Sequence, residues 1–372
     1  METQGLSFAV TRRGPWLYGA RWDVTWLMGT AIVVPITLAL VWGGISSEAL
    51  NLAVTVIAGG PHVFATFLTT YFDPQYRRRH GWALAAVAVV VPALVVFLTI
   101  TRFQQLLSFF IFAASFHVLQ QNAYLADAYR RRFGRPEAWP SRVLDYMVLF
   151  LSFYPIAAYK LVRNDFTMGD VRILIPDLVK TEFTCKAIAV LFAASFLAWS
   201  MKTLQEWRNG VLNRPKTALI LLTSTIAFMI PAMAAGERME LAFQAVNTWH
   251  SLQYLGIIWL ILNLRKAEGK SASPFVGSVS GPGRAAWKFY GLCLLFTAVQ
   301  LAVILTLKAT RPFSLSGAQY HYIGVFSVLF IHYTLDGYFF VAARSSGADP
   351  MDVPFVVPIR SAVPDPSSAL AG

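Results

Sequence analysis

The sequence predicts an all-α, polytopic integral membrane helical bundle of about ten transmembrane helices, with both termini cytoplasmic. Three observations predict it. Charged residues make up 13% of the chain, about half the roughly 25% of soluble domains. Apolar runs recur at about 20 residues, the length of helix that crosses a bilayer core. Lys and Arg are concentrated in every second connecting segment, as short cytoplasmic loops require. A membrane barrel would instead show alternating strands of about ten residues, and none is visible.

Residues 1–23 read as a cytoplasmic tail carrying Arg12, Arg13 and Arg21. The apolar run that follows is too long for a cleaved signal and lacks a clear cleavage site. Ten helices are expected near 24–44, 49–72, 82–101, 103–126, 143–162, 185–204, 217–235, 240–263, 287–308 and 321–343. With the N-terminus inside, the inner connections hold Arg77 to Arg79, Arg130 to Arg132, Arg208 and Arg214, and Arg265 and Lys266. The outer ones hold scattered charges such as Arg102, Arg163 and Arg311. Dropping or adding a helix would scramble that alternation. The domain map is a tail at 1–23, one transmembrane domain at 24–343 and a disordered cytoplasmic tail at 344–372. A bacterial cytoplasmic membrane is the expected location.

Two connections are long. Leu161 to Thr184 reads as a short interfacial helix capping the bundle. Glu268 to Arg284 is rich in Gly, Ser and Pro and reads as flexible. The net charge of +12 reflects the membrane-side bias of Lys and Arg, so no nucleic-acid partner is expected. Cys185 and Cys293 have neither metal-type nor disulfide-framework spacing.

The chemistry lies in four histidines within apolar runs: His62, His117, His250 and His332. His117 and His250 sit in near copies, Phe116-His117-Val118-Leu119-Gln120 and Trp249-His250-Ser251-Leu252-Gln253. All four fall near the centres of helices that run outside to inside. At 1.5 Å rise per residue they share a depth within about 6 Å. Ionisable residues at that depth are costly and usually functional. His80, among arginines, and His321, at a helix boundary, read as surface residues.

Each of the four has a polar residue one turn inward: Gln120 and Gln121 for His117, Gln253 for His250, Asp336 for His332 and Thr66 for His62. Residues three or four apart share a helix face. The pattern is that of four metal-ligating imidazoles whose second ring nitrogens are held by hydrogen-bonding partners. Asp336, Gln120 and Gln253 are accordingly assigned to orienting the rings. Asn247, Tyr254 and Tyr333 lie nearby.

Neutral imidazoles suit iron, copper or zinc and not calcium or magnesium. Two metal readings stand. One is a single non-haem iron held by all four rings; the other is haem b with paired axial histidines, in a membrane redox protein. A third reading, a proton- or ion-coupled transporter, takes the same histidines with Asp336 as a relay. Inverted repeats would put equivalent residues on helices of opposite polarity, whereas these four share one.

A multi-helix bundle with four intramembrane histidines and no carboxylate cluster resembles the Brp/Blh family of membrane carotene dioxygenases. Gly60-Pro61-His62 resembles that family's Pro-His segment, although Val63 and Phe64 stand where its pattern continues differently. The resemblance implies a four-histidine iron site, dioxygen as co-substrate and a lipophilic substrate arriving from the bilayer. Phe116, Trp249, Phe326, Phe330 and Tyr333 would line its path. No nucleophile dyad or phosphate loop is present.

Overall fold

In the computed structural model, residues 15–342 are described, except 164–165, 169–170, 236–238, 268 and 270–272. The expected tail at 344–372, and Arg12 and Arg13, lie outside the described residues. The long helical segments are α1 (Ala20–Trp42), α2 (Ser47–Thr69), α3 (Pro74–Thr101), α4 (Phe103–Phe133), α5 (Trp139–Arg163), α6 (Glu182–Arg208) and α7 (Arg214–Ala234). They continue with α8 (Met239–Ala267), α9 (Arg284–Thr310) and α10 (Gly317–Ala342). Each expected helix falls on one of these segments. Eight of them, α1 to α7 and α9, are long and apolar enough to cross a membrane.

The helix ends follow from sequence. Ser46, Asp73, Thr181 and Asn213 cap α2, α3, α6 and α7 by accepting backbone N–H bonds in the first turn. Gly134 ends α4 in the left-handed conformation, φ 69°, which costs glycine little. Helix α3 starts earlier than expected because Asp73 and Pro74 form a strong start signal. His80 therefore lies at a kink inside α3, half-buried with its ring 4.5 Å from that of Tyr76, and not in a surface loop.

The apolar character of the helices sorts them. Half of the most apolar window is buried in α2 and α4, against 11% in α6 and 17% in α3 and α9. The bundle centre is thus built from α2, α4, α8 and α10, with α1 packed on α8, α3 on α10 and α9 on α2. Gly60 is what lets α2 approach α9, since a Cβ there would overlap the side chain of Thr297.

At the arginine-rich end, several charges are paired in a buried cluster. Asp145, fully buried, receives Trp199 Nε1 at 3.0 Å, Lys202 Nζ at 2.7 Å, Lys216 Nζ at 2.8 Å and Arg130 at 2.9 Å. Arg130 also pairs with Asp127 and Glu137, and Asp127 receives the Tyr146 hydroxyl. Burial alone would raise the carboxyl of Glu137. Hydrogen bonds from Lys216 and Ser141 and the charge of Lys202 outweigh it and hold that carboxyl below the ordinary range. This clasp ties α4, α5, α6 and α7 together.

Three connecting segments depart from expectation. The N-terminal segment folds back: Asp23 accepts backbone N–H bonds from Leu17, Tyr18 and Gly19 and the hydroxyl of Tyr129. Between α5 and α6 the described residues form no interfacial helix. A strand pair, β1 (Thr167–Met168) and β2 (Val171–Arg172), turns back instead. It is tied to α4, because Ser108 Oγ accepts the Leu174 N–H at 2.7 Å and Gln104 donates to the Arg172 carbonyl. Between α8 and α9, a short helix (Pro274–Ser278) docks with Val276 and Val279 buried. Lys266 Nζ holds it through the carbonyls of Gly277 and Ser280.

Candidate metal centre

Each helix of the central four presents one histidine. Helix α2 does so through a local irregularity: residues Thr55–Gly59 form a π-helical turn just before Gly60-Pro61-His62. Such turns mark functional positions in helices. Pro61 supplies no N–H for the Ile57 carbonyl one turn back, and Tyr290 donates its hydroxyl to that carbonyl at 2.7 Å.

The four rings meet. His62, His117, His250 and His332 are at most 2% exposed. Their centroids form a closed circuit of 4.6 Å (His62–His332), 4.9 Å (His332–His117), 5.0 Å (His117–His250) and 5.2 Å (His250–His62), each pair edge-on. One ring nitrogen from each lies within 4.8 Å of the others. Imidazole nitrogens held at the usual metal distance of about 2.1 Å lie at most about 4.2 Å apart, so an ion at their centre would draw the rings in slightly.

Hydrogen bonds orient two of the rings. His62 Nδ1 lies 2.5 Å from the Gly59 carbonyl oxygen. A carbonyl only accepts, so Nδ1 carries the proton and Nε2 keeps its lone pair; Ser251 Oγ adds a contact at 3.2 Å. His332 Nδ1 lies 2.6 Å from Thr66 Oγ1, whose proton goes on toward Asp336 Oδ1 at 3.3 Å. Again Nε2 is left with its lone pair. The Nε2 atoms of His62 and His332 and both ring nitrogens of His250 are buried with no hydrogen-bond partner among the described residues. Buried polar atoms in that state are costly, and a cation at the common point satisfies them. The donor set therefore fits a transition-metal ion.

Asp336 sits directly beneath, fully buried. Its Oδ1 accepts the Tyr254 hydroxyl at 2.8 Å, and its Oδ2 is 3.5 Å from His332 Nδ1 and 3.9 Å from His117 Nε2. It lies near two of the rings without a direct hydrogen bond to either, and reaches His332 through Thr66. The other two assignments change. Gln253 uses its amide between helices, donating to the Leu27 carbonyl at 2.7 Å and accepting from Gln121 at 2.6 Å. It braces α1, α4 and α8 and bonds to no imidazole. Gln120 is half-buried and has no hydrogen bond among the described residues; its neighbour Gln121 faces inward instead. Thr66 serves His332 on α10 and not His62 on its own helix. Ser251 and the Gly59 carbonyl were not singled out from sequence. A serine beside a histidine and a backbone carbonyl give no periodic signal.

Above the rings, toward the end of the bundle away from the clasp, lies a cavity of about 330 Å³ that reaches His62 and Tyr333. Phe326 and Tyr333 line it, as expected, and the Tyr333 ring stacks on His117 at 4.3 Å. The other three aromatics do not. Phe116 is 49% exposed on the outer surface, Trp249 packs among Ala31, Val34, Ala227 and Ala245, and Phe330 packs on Phe109, Phe110 and Phe326. Cys185 and Cys293 are free and buried, away from the rings. Comparison with protein families, curated proteins and solved structures finds no match, so the geometry of the centre alone carries its functional reading.

Proposed function

We propose that this chain is a membrane-embedded metalloenzyme, a four-histidine non-haem iron oxygenase or oxidase acting on a lipophilic substrate. The observation that carries it is the convergence of four buried imidazoles, one ring nitrogen of each within 4.8 Å of the others, with the Nε2 atoms of His62 and His332 and both nitrogens of His250 lacking a hydrogen-bond partner among the described residues. We also propose that α8 and α10 span the membrane with the other eight, both termini lying on the side of the arginine-rich clasp.

Iron, when bound, supplies the capacity to react with dioxygen; copper or zinc would occupy the same ligands with different chemistry. The chain's own residues do the rest. His62, His117, His250 and His332 bind the ion. The Gly59 carbonyl and Thr66 fix two ring orientations. Four neutral imidazoles leave the ion's charge uncompensated in apolar surroundings, and the Asp336 carboxylate supplies the counter-charge. Tyr333 faces the cavity beside His117 and meets whatever approaches. Close edge-on packing of all four rings favours a single ion over a flat macrocycle, which would have to separate one pair while clearing the other.

The test is elemental analysis of detergent-purified protein with an optical spectrum. Stoichiometric iron without a Soret band is expected. A Soret band would replace this reading with haem, and absence of any transition metal would return the chain to the transport class. A finer test is Thr66→Val, which keeps shape but unties His332. Metal affinity in a chelator competition is expected to fall about 10–100-fold.

A further inference from the structure

The cavity over the four histidines has an uneven lining. Near the rings it presents the carboxamides of Gln244 and Asn247 and the ring of Tyr333. Gln244 Oε1 is buried with no hydrogen-bond partner among the described residues. By helical rise, Asn247 and Gln244 stand about 5 and 9 Å above His250 on the same helix. At the far mouth are Glu240 and His321. Among the described lining residues there is no Lys or Arg, and Glu240 is the only charged group. An anionic head, carboxylate or phosphate, would find no cation there. A neutral hydroxyl both donates and accepts, so it satisfies a carboxamide whichever way the amide is turned.

A second cavity, of about 240 Å³, opens sideways between α4, α5 and α6. Its described lining contains no charged side chain, and its rim includes Phe112, 41% exposed on the flank of the bundle. Ile111, Phe166 and Phe243 line both cavities. Phe243 is thus one of three side chains shared by the two spaces, and a ligand chain running from one into the other would pass it. Phe166 belongs to the segment that the Ser108 and Gln104 bonds hold over this junction. The junction lies about 10 Å above the rings, the rise from Phe243 to His250. Polar groups occupy the interval below it, and hydrocarbon surface lies to its side.

We infer that the site takes a neutral, hydroxyl-bearing, single-chain lipophile head first, with its hydroxyl between Gln244 and Asn247 and its hydrocarbon chain turned past Phe243 into the lateral cavity. The carbon that bears the hydroxyl, and not the middle of the chain, is then the part nearest the metal centre. The inference rests on the metalloenzyme reading only in calling this occupant a substrate; the binding geometry stands on the two cavities alone.

The experiment measures binding to the full chain in detergent, as purified and after metal stripping, using hexadecanol, hexadecanoic acid, hexadecylamine and hexadecane as competitors. The label is a hexadecanol carrying a diazirine at its methyl end. Hexadecanol is expected to compete best, by about tenfold over hexadecane, and Gln244→Leu is expected to remove that margin. Photolabel on the unmutated protein is expected at Ala157, Ile188 or their neighbours in the lateral cavity. Equal competition by all four probes, preference for the acid or the amine, or label confined to the Glu240 mouth would each overturn the inference. Metal-bearing protein that fails these tests leaves the metalloenzyme reading intact. Metal-free protein that passes them leaves a lipid-alcohol site without the oxidative chemistry.

Discussion

Replacing His250 with Ala is expected to strip the metal from the protein while leaving the bundle folded. Both nitrogens of the His250 ring lack a hydrogen-bond partner among the described residues, so a bound ion is what would compensate their burial. Losing an outer partner of a ligand costs about 10–100-fold in affinity, and losing the ligand itself costs more. His117→Ala is expected to behave the same way, because its ring lies 5.0 Å from that of His250 and 4.9 Å from that of His332. His80→Ala is the control. It lies at the α3 kink beside Tyr76, outside the four-histidine group, and full metal occupancy is expected to survive. Metal-to-protein ratio after gel filtration, with circular dichroism to verify helix content, reads all three. A His250→Ala protein with undiminished metal would remove that residue from the ligand set.

Asp145→Asn is expected to be the most destabilising single change outside the metal centre. The buried carboxylate faces Arg130, Lys202 and Lys216 at 2.7 to 2.9 Å. Removing one partner from a buried ion-pair group leaves cations in a poorly solvated site, at a cost of about 3–5 kcal/mol. Thermal unfolding in detergent is expected to show a large drop for Asp145→Asn, partly restored by adding Lys216→Met. Glu182→Gln provides the contrast. Its pair with Arg163 is 3.3 Å long and about half exposed on both sides, and exposed pairs contribute about 0–1 kcal/mol. Similar losses for the two variants would show that the clasp carries no special share of the stability.

The convergence of the histidines was legible in the sequence because it depends on two simple quantities. Lys and Arg alternation set the helix directions, and the rise per residue set each histidine's depth. The partners of the rings were less legible. Spacing of three or four residues identifies side-chain neighbours on one helix, yet the side chains that bond these rings come from other helices, and the one bond within a helix is to a backbone carbonyl, that of Gly59. Thr66 of α2 reaches His332 of α10, and Ser251 of α8 reaches His62 of α2. Gln253 had the right spacing but spends its amide on Leu27 and Gln121. The β1–β2 turn and the docked helix at Pro274–Ser278 were hidden for a related reason. Their composition is that of loops, and tertiary bonds from Gln104, Ser108 and Lys266 give them their form. The π-helical turn before His62 has no sequence signature of its own.

X-ray absorption at the metal edge of iron-loaded protein tests the shared centre most directly. The expected spectrum has a first shell of nitrogen or oxygen scatterers at about 2.1 Å, with the outer-shell scattering of four imidazoles, falling to three in His117→Ala if that variant is forced to bind at high iron concentration. A shell with two or fewer imidazoles, or one containing sulfur, would contradict four rings gathered on one ion.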